Sequence, residues 1–376
     1  MSWSTVKLGD VAEFIRGITF KPVDVVSLDT FNAIGCMRTK NVQTDLDLND
    51  VWGIDKRFVK NAKQIMREGD ILVSSANSWN LVGKGCWIPK LNYECTFGGF
   101  VSVLRGNPQK IDAKYLYNWY TSKKIQNIVR SFGQKTTNIS NLNIERCLAQ
   151  ELVLPPLAEQ KRIAAILDKA DEIKRKREQA IAKLDQLAQS IFVEMFGHPN
   201  AKIKKFNQLK LTDFFKFKTG KLDSNAAVAD GKYPFFTCSR DNFCIDDYAF
   251  DEEALLLAGN NANADYSVKY YKGKFNAYQR TYVINVIGDN SYSYAKACLE
   301  FMLKEFKLAS KGSSTKYLTM SIFDRMLIQT PPLALQEQFA TRISKLEKLK
   351  ASNIAALEKH NQLFASLQNQ AFTGQL

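Results

Sequence analysis

Histidine is nearly missing from this chain: 376 residues contain two, His198 and His360. Ser-His or Cys-His nucleophilic catalysis and a multi-histidine metal site therefore have little material. Cysteine occurs seven times, at Cys36, Cys86, Cys95, Cys147, Cys238, Cys244 and Cys298. The number is odd and no two stand as C-x-x-C, so neither a disulfide framework nor a zinc knuckle is suggested, and reduced thiols are expected. No segment approaches the ~20 consecutive apolar residues of a membrane helix. The stretch from Met1 to Gly17 carries charges inside its first apolar run and lacks a small-residue cleavage pattern, so it does not read as a signal peptide. A soluble, cytoplasmic protein is expected.

Nucleotide and nuclease motifs are also wanting. Gly133-Gln134-Lys135-Thr136 lacks the preceding spacing of a Walker A loop, and no G-x-G-x-x-G follows a strand. No Asn-Pro-Pro followed by Tyr or Phe is present, the tetrapeptide that holds a flipped adenine in amino-methyltransferases. Glu172-x-Lys174 and Glu305-x-Lys307 match the tail of a nuclease carboxylate-lysine motif, yet neither has a placed partner acid. Helix-surface pairing explains both.

What the chain does have is positive charge. Its 52 Lys and Arg against 38 Asp and Glu give +14, an excess that concentrates a polyanion such as nucleic acid around the protein. With 45% hydrophobic residues over this length, two globular units plus connecting helices are expected rather than one core.

It also repeats itself. The segment Leu154 to Leu167 recurs as Thr330 to Ile343, and the match runs on without a gap at an offset of 176 residues. Ile163 meets Phe339, Leu167 meets Ile343, Ala170 meets Leu346, Ile173 meets Leu349, Ile181 meets Leu357, Leu187 meets Leu363 and Ile191 meets Leu367. A weaker echo opens each half, Leu8 to Gly17 against Leu211 to Gly220, at an offset of 203. The differing offsets imply that the second half is shorter by roughly one hairpin between these landmarks.

Each Pro-Pro is followed by a segment without Pro or Gly, Leu157 to Phe196 and Leu333 to Phe372, as a helix of ~60 Å requires. Apolar residues at Ile166, Ala170, Ile173, Ala180, Leu184, Leu187 and Ile191 step by threes and fours, interrupted by Arg177. Such stripes need covering, and pairing the two helices in an intramolecular coiled coil covers both. If the pair is antiparallel, the halves are related by a pseudo-twofold axis, and Arg177 and Asn353 come close together near the helix midpoints and help set register. The run Lys174 to Glu178 is read as a solvated helix face.

The halves outside these helices read as mixed α/β domains. The first has strands near Asp70–Ser74 and Phe100–Leu104 and a helix near Asp112–Phe132. The second has strands near Glu253–Ala258 and Thr281–Val286 and a helix near Tyr292–Leu308. Loops rich in amides, hydroxyls and lysines recur in corresponding places: Ser74–Gly85 and Gly133–Ser140 in the first half, Ala258–Lys274 and Lys311–Lys316 in the second. Such side chains bond base edges and phosphates. The expected DNA contacts are Asn77, Trp79, Asn80, Lys84, Gln134, Lys135 and Thr136, then Asn260, Asn261, Asn263, Tyr266, Ser313, Ser314, Thr315 and Lys316. No catalytic residue and no metal ligand is assigned.

The Pro-Pro-Leu-Ala-x-Gln helix entrances at Pro155 and Pro331, the Leu-x-Asp openings at Leu8 and Leu211, and the closing stretch Leu363 to Leu376 together resemble the specificity subunits of type I restriction-modification systems. The resemblance covers essentially the whole chain. It implies target-recognition domains over residues 1–154 and 198–330 and conserved helical spacers over residues 155–197 and 331–376. It further implies a non-catalytic subunit that reads a bipartite target in double-stranded DNA, with the helices setting the spacing. Two methyltransferase (modification) subunits and, through them, restriction/translocase subunits are the implied partners. S-adenosylmethionine, ATP and Mg would sit on those partners, with no cofactor on this chain. A stand-alone DNA-binding scaffold without methyltransferase partners remains open, as does a nuclease with an unrecognised carboxylate site.

Overall fold

The computed structural model describes residues 3–135, 139–199, 201 and 203–376. Two compact units emerge, Met1–Lys176 with Ala356–Leu376, and Arg177–Ala355. The two long helices, Leu157–Phe196 and Leu333–Thr373, each give one half to each unit, so the units cut across the recognition-domain and spacer boundaries expected from sequence.

In the first unit an antiparallel sheet has the order Ala12–Arg16, Val101–Gly106, Ile71–Ser74, Gly85–Trp87. Strand side chains alternate between faces, and both faces are covered. Ile71, Val73 and Leu104 enter one core with the helix Ala113–Thr121 and with Ile163 and Leu167 of the first long helix. Leu72, Val103 and Ile15 enter a second core with Met37 and Phe97 of another sheet, ordered Val25–Val26, Trp52–Asp55, Ala33–Met37, Cys95–Phe97.

The second unit repeats the plan more compactly. Leu255, Leu257 and Ile284 face the helix Tyr292–Ala309 and both long helices, while Ala254, Leu256 and Val283 face away. Six of its strands merge into one sheet, beside two small two-stranded sheets. The two-stranded antiparallel piece Tyr233–Phe236 and Phe243–Ile245 stands where the first unit has a larger separate sheet, which accounts for the shorter second half. The segment expected as one polar loop up to Lys274 is instead strand from Val268 onward, paired antiparallel with Phe250–Leu257.

Inside each unit the long helices run antiparallel. His360 Nε2 lies 2.7 Å from Ala170 O in the first unit. In the second, Lys350 pairs with Asp185, and the Phe192 and Phe339 rings meet edge to face at 5.7 Å. That register sets the expected midpoint residues Arg177 and Asn353 in the same stretch of the pair. Asn353 Nδ2 turns back to donate to Leu349 O at 2.9 Å, however, so its amide serves its own helix. The lysine-arginine run behaves as a helix face: Lys176 and Lys169 bracket Glu172 and hold its carboxyl down at about 2, while Arg175 bonds Asp171 and Asp45.

The repeated motifs have physical reasons. Gln160, five residues after Pro155, is buried; its Oε1 accepts from Asp112 N at 2.7 Å and its Nε2 donates to Pro155 O and Lys110 O. Gln336 does the same for Ser291 N at 2.9 Å, donating to Pro331 O and Asn290 Oδ1. In both units the glutamine ties the long-helix entrance to the residue capping the domain helix. Gln160→Ala is expected to cost about 3 kcal/mol in chemical denaturation, because two carbonyls and one amide lose their partner in a dry place. Arg162→Ala, which removes an exposed pair with Glu159 and a long, exposed hydrogen bond to Leu376 O, should shift the curve by less than about 1 kcal/mol.

Candidate nucleic-acid interface

The polar segments singled out by sequence converge, twice, on small sheets at the edge of the main ones. In the first unit the chain leaves the buried strand at Ser74, and the Ser75 and Ala76 amides both donate to Phe100 O. Ala76–Asn77 then pairs with Ser140–Leu142, which pairs with Gly133–Lys135; Asn77 lies opposite Ser140, and Ser140 opposite Lys135. Residues about sixty positions apart in sequence thus share one three-stranded sheet.

The second unit builds the same junction. Gly259 N donates to Arg280 O and Leu318 N to Gly259 O, as Ser75 N does to Phe100 O and Leu142 N to Ser75 O. Asn260–Asn261 pairs with Lys316–Tyr317, placing Asn261 opposite Lys316. Lys311 and Tyr317 exchange both backbone hydrogen bonds and close a hairpin whose tip, Ser313 to Thr315, is exposed. Gly312 permits the turn: its φ is +102°, and a Cβ there would strike Thr315 O.

The family model of the type I restriction modification DNA specificity domain matches residues 1–183 and 203–359, one match for each half. The chain belongs to this family. A specificity subunit of the EcoDI type I restriction enzyme of Escherichia coli is 36% identical over 165 residues, 44% of this chain and 36% of that protein. The EcoKI specificity subunit of Escherichia coli K12 is 29% identical over 195 residues, 50% of this chain and 41% of that protein. These matches span well under half the length of those relatives. In fold, the type I restriction-modification S subunit of M. genitalium superposes with a TM-score of 0.61 at 15% identity, covering 99% of this chain and 96% of that one.

Within these specificity domains the expected contact residues have different surroundings. Asn77 Nδ2 donates to Ser74 Oγ at 3.0 Å and its Oδ1 accepts from Ser78 N, so its amide is held rigid. Trp79 lies across the hairpin, 3.4 Å from where a Cβ on Gly133 would stand, and is 38% exposed. The loop carrying Asn80 is clamped behind it by buried Val82 and by Gly83 O, which accepts from Tyr120 Oη at 3.0 Å. Lys84 Nζ reaches Gln43 Oε1 at 3.2 Å. Gln134 is exposed on the outer strand. Thr136 and the side chain of Lys135 fall outside the described residues.

In the second domain Asn261 Oδ1 accepts from Asn263 N at 2.9 Å, capping the turn that lets Ala264 adopt a φ of +52°. Asn263 is exposed beside that cap and Asn260 is half-buried. Tyr266 departs from its expected place. It is 4% exposed and packs in the core, because Ala264, Tyr266 and Val268 already follow the alternation of the strand that begins at Val268. It is no surface contact.

Nearby charges are partly spent. Arg240 forms a two-point pair with Asp265, whose carboxyl it holds below the usual carboxylate range. Lys269, whose ammonium is lowered by burial, donates to Ser239 O, Asp241 O and Asn242 Oδ1. Lys311 and Lys316 lie on the hairpin itself. Sequence reasoning passed over Phe100 and Arg280, exposed residues that occupy equivalent turns and whose carbonyls anchor the two junctions. Tyr317, exposed next to Lys316, lies one residue beyond the loop singled out from sequence.

Proposed function

We propose that the chain is the DNA-specificity subunit of a type I restriction-modification complex, with each unit reading one part of a bipartite target in double-stranded DNA. The observation that carries this reading is the duplicated junction: two copies of one backbone scheme present different side chains, Asn77 and Gln134 in one, Asn260 and Ser313 to Lys316 in the other. A common frame with exchanged tips is what two different half-sites call for. Membership of the specificity-domain family supports the same conclusion.

The contacts proposed are Asn77, Trp79, Asn80, Lys84, Gln134, Lys135 and Thr136, with Asn260, Asn261, Asn263, Ser313, Ser314, Thr315 and Lys316. The amides and hydroxyls pair with base edges, and the lysines with phosphates. Lys135→Ala and Lys316→Ala are each expected to lower the salt dependence of binding by about one phosphate. Titrations across salt concentrations check this; an unchanged slope for both would remove these hairpins from the backbone.

The long helices dock the partners. Leu187 and Leu349 of the second unit and Leu363 of the first keep large apolar side chains half in water, surface that two methyltransferase subunits would cover and that recruits the restriction/translocase subunits through them. Methyl transfer from S-adenosylmethionine and ATP- and Mg-dependent cleavage belong to those partners. This chain supplies recognition and no catalysis.

A further inference from the structure

The internal repeat makes each surface of one unit a control for the other, and at one place the two differ sharply. The first unit holds an open cavity of about 720 Å³ between the helix Lys123–Ser131, the segment Ala149–Glu151 and the end of the second long helix. Its counterpart in the second unit is about 20 Å³. The correspondence is fixed residue by residue. Gln160 bonds Asp112 N and Gln336 bonds Ser291 N, so up to the end of the first helix Trp119 corresponds to Cys298 and Ser122 to Phe301; along the long helices Gln368 corresponds to Phe192.

In the second unit the space is filled. The rings of Phe192 and Phe301 meet at 4.7 Å, His198 stands edge-on to Phe301 at 6.1 Å, and Pro199 lines what remains. In the first unit Gln368 and Ser122 stand where the second has the two phenylalanines, and the rim is lined by exposed Lys123 and Lys124 together with the carboxylate of Glu151. Ser122 also interrupts the domain helix, with φ −59° and ψ 144°, where Phe301 continues it. One wall keeps its apolar character, from Trp119, Ile128 and Phe372. The groove therefore lacks the two rings that fill the other unit, and its rim carries two ammonium groups against one carboxylate.

We propose that this groove seats an extended acidic segment of a partner polypeptide, with aromatic side chains entering the space that Phe192 and Phe301 fill in the other unit and carboxylates facing Lys123 and Lys124. The lysines exclude a second basic segment like the chain's own His198 to Phe206. Apolar burial supplies affinity and the two charges supply selectivity. The inference does not depend on DNA recognition.

The test uses the full chain and fluorescence anisotropy with a short synthetic peptide carrying two phenylalanines among glutamates. It is expected to bind about tenfold or more tightly than a version with its glutamates changed to lysine or its phenylalanines to serine, a difference of ~1.4 kcal/mol. Ala365→Trp, at an exposed lining position, should abolish binding with the thermal midpoint unchanged. Lys123→Glu with Lys124→Glu should reverse the preference toward the lysine peptide, which keeps the proposal testable if Ala365→Trp disturbs folding. Equal binding of all peptides, no reversal by the charge variant, or sedimentation showing a second copy of the chain seated in the groove would overturn it.

Discussion

Gly220→Ala is expected to lower the stability of the second unit by about 4 kcal/mol in urea denaturation, at the high end for a single methyl group. A Cβ at this position would enter the carbonyl of Ala277 and crowd Tyr278 O. Neither can retreat. Tyr278 N is bonded to Phe236 O and Gln279 N to Leu222 O, both at 2.9 Å, so the obstructing backbone is pinned on two sides. Gly288→Ala is the comparison: its φ of +69° strains an alanine, but nothing lies within 4 Å. Its cost should stay near the ~1–2 kcal/mol of a left-handed residue. Similar losses for the two variants would mean that the close approach at Gly220 is not rigid.

If these hairpins contact DNA as proposed, Lys311→Glu combined with Lys316→Glu is expected to weaken binding roughly 100-fold at low salt, the several kcal/mol of like charges set against one another. The loss should shrink as salt rises, since exposed charges are screened. Lys345→Glu with Lys348→Glu, exposed on the second long helix, changes the net charge equally. That pair is expected to weaken binding several-fold less. If both pairs cost the same, the +14 field rather than the hairpin governs association.

Several levels of this molecule were legible before its coordinates. The duplication of the Pro-Pro-Leu-Ala-x-Gln entrance marked two long helices and two units, because a gapless repeat of apolar positions needs no tertiary knowledge. The purpose of its glutamine was not legible: Gln160 and Gln336 bond backbone groups some fifty and forty-five residues away, which no local pattern encodes. The same holds for the interface. The four polar segments stood out by composition, but the pairing of Asn77 with Ser140 and of Asn261 with Lys316 is a long-range choice of register. Tyr266 shows the opposite failure. Composition placed it among polar contacts, while the alternation through Ala264 and Val268, readable locally, sends it inward. Phe100 and Arg280 escaped notice because each matters through a backbone carbonyl that sequence does not distinguish.

The most direct test of two readers in one chain is the methylated motif of a host carrying the complex, sequenced with wild type and with Asn260→Ala, Ser313→Ala and Ser314→Ala combined. These side chains belong to one unit, and Ser313 and Ser314 are exposed. The expected result is a motif that loses definition in one half, by ~1–3 kcal/mol per affected base pair, and keeps the other half and the spacing intact. A motif degraded equally in both halves, or not at all, would contradict the assignment of one half-site to each unit.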